Sequence, residues 1–338
     1  MSKKRRRKRR LKSSIKIVTL LIIIFIGVLI FLSIQNSFNT MVINNNIEKL
    51  MLKIDKNNEE KIQKYINYNN CLLEEYNDKD QTENLQNKIN ETNQFLSKYN
   101  TSVGYQDTLT KFNYKYNENK VYYAASTIKM LDALYIYEKA SNGELDLNET
   151  MTYSSKYLRG ASIKMGKKSY GDKVKLRDLV NYAVIYSDNI AHAMLLDYIG
   201  KSTLKEYGRS LGAKNTLNGD DFGEITVNDS LAYLNALNAY LNTNSDNAKE
   251  LKSFFINSEQ NYLNFPDDNV EAVQKYGEYD SYYHENGIVY VDKPYLISIL
   301  TLHGKNEKII RSINSKILEL HNLFYEERLN RCKTILES

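Results

Sequence analysis

Apolar and polar positions divide the chain into stretches of different texture. From Ile17 to Ile34 it reads Ile-Val-Thr-Leu-Leu-Ile-Ile-Ile-Phe-Ile-Gly-Val-Leu-Ile-Phe-Leu-Ser-Ile, without a charge. At about 1.5 Å per residue a helix of this length spans roughly 27 Å, close to a bilayer's hydrocarbon core. Residues 35–101 are instead rich in Asn, Lys, Glu and Gln, and contain neither Pro nor Gly. Ile43, Ile47, Leu50 and Ile54 are spaced 4-3-4, and Leu85, Ile89 and Leu96 continue the seam weakly. This spacing predicts an amphipathic helical stalk, either solvated or paired with another copy in a short coiled coil giving weak self-association.

From residue 102 the texture changes again. Val103–Tyr105 and Lys111–Tyr116 read as a strand pair, and Val121–Ala124 as a third extended run. Helical spacing then covers Ser126–Ser141, Lys175–Tyr186, Ile190–Ile199, Thr203–Leu211 and Val227–Leu241. Extended segments return at Val270–Tyr276, Gly287–Val291 and Tyr295–Leu302, before a long helix over Glu307–Leu336. Strands, helices, strands and a helix in that order predict an α+β domain over 102–338. Its antiparallel sheet draws strands from both chain ends and is flanked by helices.

Charge changes the picture at one end only. Of 338 residues with a net charge of +5, the first sixteen carry ten Lys or Arg and no acid, leaving −5 for the rest. Such a run by itself reads as a nucleic-acid or nuclear signal; the apolar run behind it excludes that reading. Positive charge before the run and none just after it put residues 1–16 in the cytoplasm, 17–34 across the membrane and the remainder outside. A cleaved signal peptide competes with this. Its apolar region would be shorter and would end in small residues at a cleavage site, and no lipid-accepting cysteine follows. The expectation is therefore an uncleaved single-pass anchor in the cell membrane, its basic tail near anionic lipid. Cys71 and Cys332, the only cysteines, can pair outside the cytoplasm or remain two free thiols.

Two short patterns carry candidate chemistry. In Ser126-Thr127-Ile128-Lys129 a lysine lies on the same helix face as a serine at the helix start. Burial can lower the lysine's pKa until it accepts the serine's proton, and free N–H groups of the first turn can stabilise an oxyanion. Ser13–Lys16 and Ser202–Lys205 have the same spacing, so the pattern alone is weak. Ser187-Asp188-Asn189 lies between two apolar helices, where a polar triplet is buried and needs partners. Its second copy, Ser245-Asp246-Asn247, lies in a polar run and reads as a solvated helix cap. The four histidines are scattered without metal-ligand spacing, His192 reading as a packed core residue. No Gly-rich phosphate loop is present, so neither metal nor cofactor is expected.

S-x-x-K at a strand-to-helix junction, then S-D-N about sixty residues on, resembles the class A β-lactamases and penicillin-binding proteins. Lys275-Tyr276-Gly277 stands where that family has K-[ST]-G on the strand edging its site. The resemblance covers about 102–338. It implies a β-lactamase/transpeptidase-like fold, with an all-helical subdomain beside the sheet, and a β-lactam or a peptidoglycan stem peptide as partner. It assigns Ser126 as acylated nucleophile, Lys129 as base and Ser187 as proton relay to the leaving nitrogen. Asn189 would hold the substrate amide, and Lys275 would supply positive charge. The oxyanion hole would be the N–H groups of Ser126 and Glu278, with Gly277 before it.

Two departures qualify this. Tyr276 replaces the family's small hydroxyl, and Glu278 adds a negative charge where an anionic substrate would lie. The deacylating glutamate of the family's E-x-x-L-N loop is absent; Lys214 stands at its offset from Leu217-Asn218, and Asp220, Asp221 and Glu224 are possible substitutes that read first as solvated turn acids. Joined to the expected anchor, the resemblance and its departures thus imply a membrane-anchored serine hydrolase with slow deacylation. A D-alanyl-D-alanine carboxypeptidase and a non-catalytic cell-wall or partner-binding domain are the alternatives. The abundance of Asn, Lys, Ile and Tyr fits an AT-rich genome such as that of a Gram-positive bacterium.

Overall fold

A computed structural model describes residues 59–263 and 270–337. The basic tail, the apolar run 17–34 and the Ile43–Ile54 seam lie outside the described residues. Among those described, no helix is long and apolar enough to cross a membrane.

The core of the fold is a five-stranded antiparallel sheet. Its strands are β1 (Thr101–Asp107), β2 (Asn113–Tyr116), β7 (Glu271–Tyr279), β8 (Tyr282–Tyr290) and β9 (Tyr295–Thr301), in the order β2-β1-β9-β8-β7. Strands from the two chain ends meet where β1 pairs with β9, Val103 opposite Ile299 and Tyr105 opposite Ile297. This is the predicted α+β arrangement. Every residue of β9 is buried, as its nearly unbroken apolar run requires of a strand covered on both faces.

Between the two sets of strands the chain forms the helical part. A 3₁₀ turn, Ala125–Ile128, leads into α3 (Lys129–Ser141). Then come α4 (Leu176–Ile185), α5 (Asn189–Ile199), α6 (Lys201–Ser210), α7 (Val227–Leu241) and α8 (Asp246–Ile256). Their apolar faces share one core with Val273, Ile288, Leu296 and Leu300 of the sheet. At Gly104 a Cβ would come within 2.3 Å of Val227, so the absent side chain is what lets α7 lie on β1. Two small ribbons escape the sequence pattern: β4 (Thr150–Thr152) with β5 (Lys173–Lys175), and β3 (Tyr122–Tyr123) with β6 (Glu224–Ile225). Ser245 caps α8 by accepting from Ala248 N–H, the role expected of the second S-D-N copy.

The stalk expectation needs correction over its described part. Helices α1 (Glu59–Leu73) and α2 (Glu83–Leu96) pack on α9 (Glu307–Glu337) instead of standing free, and the described residues belong to one compact unit. Leu85 and Leu96, read as a weak seam, are buried with Ile310, Ile313, Ile317 and Phe324 against the sheet's other face. Over its described part the seam completes an intramolecular layer. Cys71 and Cys332 form a disulfide that ties α1 to α9, which settles the open question of free thiols. Arg328, fully buried beside it, donates to Cys71 O, to Glu74 O and to Asp80.

Candidate active site

Three elements bring the predicted residues together. The first is the turn before α3. Ala125 takes a left-handed backbone (φ +49°), a conformation an alanine adopts only when its surroundings enforce it. This sharp bend puts Ser126 at the surface of the helical part with Lys129 beneath it. The second is the turn between α4 and α5, where Ser187 is also left-handed (φ +51°). Asp188 accounts for its rigidity. One carboxylate oxygen accepts from Ile190 and Ala191 N–H, the other from Lys164 and Met165 N–H, all at 2.9–3.0 Å. The third is β7, an edge strand pressed onto the nucleophile's turn. A Cβ at Gly277 would meet Thr127 at 2.9 Å and Ala124 O at 3.0 Å, so only glycine permits that approach.

The geometry centres on Lys129. Its amine lies 2.9 Å from Ser126 Oγ, 2.6 Å from Ser187 O, 2.7 Å from Asn189 Oδ1 and 3.3 Å from Ser187 Oγ. Lys275 donates to Ser187 Oγ at 3.0 Å and to Tyr276 O at 2.9 Å. Both lysines are 0% exposed, while Ser126 and Ser187 retain 8% and 7% and Asn189 is half-buried. Burial drives the Lys129 amine well below its ordinary range, helped by the nearby charge of Lys275 and opposed by Asp132 and Asp188. Burial also pushes Lys275 down to about 7, with Glu285 pulling the other way. Asn189 donates its amide N–H to Gly160 O, which turns its oxygen toward Lys129.

Ser126, Lys129, Ser187, Asn189, Lys275 and Gly277 therefore converge in one place, whereas Ser202 and Lys205 lie apart on α6. Glu278 is partly exposed and paired with Lys305 at 3.4 Å, which offsets the charge that the sequence places near a substrate. Tyr276 is buried. Its ring lies 3.9 Å from the Lys275 ammonium, and its phenol, pushed up to about 12 by burial, is directed at the Ser187 hydroxyl.

The loop between α6 and β6 closes the site without a carboxylate against the nucleophile. Asp220 accepts from Phe222 and Gly223 N–H and from the Tyr123 hydroxyl. Asp221 pairs with Lys201 and Arg159, and Glu224 is exposed in β6. What faces Lys129 is Phe222, its ring 5.6 Å from the ammonium. Phe222 was not legible in the sequence, because a lone aromatic in a Gly- and Asp-rich loop carries no pattern. Among the described residues no cluster of His, Cys, Asp or Glu could hold a metal ion.

This constellation on this fold defines a penicillin-recognising serine hydrolase architecture, and comparison with known proteins agrees. Residues 84–320 match the profile of the β-lactamase enzyme family, and the chain belongs to that family. An extended-spectrum β-lactamase of Pseudomonas aeruginosa, PER-1, is 29% identical over 114 residues, or 32% of this chain and 37% of that enzyme. The chain thus matches little more than a third of that relative's length. Among solved structures, a mutant of PBP-A in an acyl-enzyme complex with penicillin G superposes with a TM-score of 0.63 at 13% identity, covering 70% of this chain and 97% of that one. A reconstructed ancestral class A β-lactamase gives 0.59 at 18% identity, covering 70% and 99%. A β-lactamase from Sphaerobacter thermophilus gives 0.60 at 17%, covering 71% and 97%.

Proposed function

We propose that the chain is a membrane-anchored, extracytoplasmic penicillin-binding serine hydrolase, acylated at Ser126 by β-lactams or D-alanyl peptides and slow to deacylate. The observation that carries the reading is the buried, pKa-lowered Lys129 amine 2.9 Å from the Ser126 hydroxyl. An uncharged lysine there takes the hydroxyl proton as Oγ bonds to the substrate carbonyl. The C–N bond then breaks, and the leaving nitrogen receives a proton from Ser187. The Ser187 hydroxyl is reprotonated through the two lysines that flank it. Lys275 supplies positive charge for an anionic substrate, and the N–H groups of Ser126 and Glu278 would hold the oxyanion.

Phe222 against Lys129 favours a long-lived acyl-enzyme, since a phenyl ring cannot act as a base toward water. The anchor reading rests on the run 17–34 and the basic residues before it. The non-catalytic alternative draws support from Tyr276, whose ring covers Lys275 in the slot where a substrate carboxylate would bind. Covalent labelling of the full chain in detergent with a fluorescent penicillin, beside Ser126→Ala, decides between them. Label lost in the mutant supports acylation at Ser126. No label on a folded wild-type chain would favour the binding-domain reading.

A further inference from the structure

Behind Lys129 lies a buried pair that the proposed chemistry does not use. His192 on α5 is 1% exposed and Asp132 on α3 is 0%. His192 Nδ1 lies 2.5 Å from Asp132 Oδ2, and Nε2 lies 3.0 Å from the carbonyl oxygen of Asp221. Both ring nitrogens therefore face oxygens, one of them a carbonyl that can only accept. A neutral imidazole has a single N–H. If it gave that proton to an ionised Asp132, the Nε2 lone pair would be set against the carbonyl's own lone pairs. Both contacts become hydrogen bonds only when the pair holds one more proton. It is then either an imidazolium with a carboxylate, or an Nε2–H imidazole with a carboxylic acid. In both forms the pair is electrically neutral, which suits its burial, and in both Nε2 carries a proton donated to Asp221 O.

The anchored carbonyl belongs to the loop that reaches Lys129. Phe222, the next residue, packs its ring 4.9 Å from the His192 ring and 5.6 Å from the Lys129 amine. We propose that Asp132 and His192 form a proton-loaded clasp. It fastens the α6–β6 loop through Asp221 O and holds Phe222 over Lys129. His192 is then a positioning residue acting through Phe222, a consequence that rests on Ser126 and Lys129 being the acylating pair. The charged groups around it are Asp132 and Lys129 from α3, Asp188 from α5, and Lys201 from α6. Asp220 and Asp221 of the loop and Arg159 opposite complete the set. The Asp188 carboxylate is saturated by four N–H donors, and Asp221 is paired with Lys201 and Arg159. Only Asp132 offers His192 a side-chain partner.

Nitrogen NMR of the full chain in detergent, labelled with ¹⁵N-histidine, reads this directly, His192 being assigned by its loss in His192→Phe. At neutral pH Nε2 is expected to carry a proton. In Asp132→Asn the new amide N–H can donate to Nδ1, so Nε2 is expected to keep its proton. A bare Nε2 with a protonated Nδ1 at neutral pH overturns the clasp. For function, His192→Phe, which removes the clasp, is expected to slow penicillin acylation about tenfold, while Asp132→Asn, which keeps the Nε2 proton, should stay within about twofold of wild type. Wild-type acylation in folded His192→Phe would mean that the pair is structural only. A wild type that takes no label would defeat the acylation reading and leave the NMR result to decide the clasp.

Discussion

The Lys129 amine lies 2.9 Å from the Ser126 hydroxyl, with two further contacts at 2.6 and 2.7 Å to Ser187 O and Asn189 Oδ1. Both of those oxygens accept from an amine. A neutral lysine satisfies them with its two N–H groups and has its lone pair left for the serine proton. That arrangement, with burial lowering its proton affinity, suits Lys129 to act as a base, and the acylation proposed for it has a pH profile that can be worked out.

Acylation needs Lys129 unprotonated and Lys275 protonated. Burial and the neighbouring charge of Lys275 lower Lys129 well below the usual lysine range, so the acid limb falls where a normal lysine would be fully charged. The alkaline limb follows Lys275, which is pushed down to about 7. The rate of fluorescent-penicillin labelling between pH 5 and 9 is expected to decline above about pH 7. Lys275→Arg, whose guanidinium stays charged, should move that decline to higher pH. A profile that rises steadily to pH 9 would contradict this assignment.

The same lysine has an opposite effect on stability. Its proton affinity falls from 10.5 in the unfolded chain to about 7 when folded. Between those values the folded chain holds fewer protons, so stability rises with pH through that window and is lowest below pH 7. Lys275→Met is therefore expected to raise the melting temperature at pH 6, by an amount worth on the order of a few kcal/mol. The gain should shrink toward pH 10, and acylation should be largely lost. Melting curves at pH 6 and pH 9.5 test it.

Much of this site was legible because its chemistry is tied to helix starts. Thr226 and Asp229 form a capping box at the head of α7, and that helix has the predicted ends, Val227 and Leu241. Ser126 and Lys129 share a helix face by spacing alone. What stayed hidden depends on contacts between distant segments. The β4–β5 ribbon has three-residue strands that alternate too briefly to register. Phe222, His192 and Asp132 meet only once the loop, α5 and α3 are folded together. Leu85 and Leu96 gave a true apolar face and a wrong partner, since spacing reports that a face is buried and is silent on what buries it.

Gly277 offers a steric test. The contacts at 2.9–3.0 Å that its Cβ would make include backbone atoms of Ala124 and Thr127, which cannot rotate away. Gly277→Ala should push β7 off the nucleophile's turn, with an overpacking cost of about 1–3 kcal/mol and a slower acylation rate. Labelling kinetics and a thermal melt on the same sample measure both. Normal acylation in the alanine variant would mean that the strand's approach is not needed.

In the proposed mechanism Phe222 sets the fate of the acyl-enzyme. Asp220 and Asp221 are occupied by loop N–H groups, Tyr123, Lys201 and Arg159, so neither is free to activate water. Phe222→Glu would place a carboxylate on the side of Lys129 where the ring now lies. Label bound to that variant is expected to be lost at least tenfold faster than from the wild type, within the range of general-base catalysis. A chase with unlabelled penicillin gives the rate directly. An unchanged rate would show that the missing base is not what limits turnover.

The disulfide gives the last prediction. Cys71 and Cys332 are 261 residues apart in sequence, and the link holds α1 to a helix on the sheet face away from Ser126. Closing so long a loop restricts the unfolded chain more than the folded one, an effect of about 2–4 kcal/mol in most proteins. Cys71→Ser with Cys332→Ser should therefore lower the melting temperature by several degrees. Penicillin labelling at room temperature should stay within about twofold of wild type, because α1 packs on α9, on the sheet face away from the site, and the sheet between them is intact. A large loss of labelling in the folded double mutant would reveal a coupling between the two faces through β8 and β9. The buried Glu285, which lies opposite Tyr276 in the strand register and has no hydrogen-bond partner on either oxygen, would then be the first residue to test.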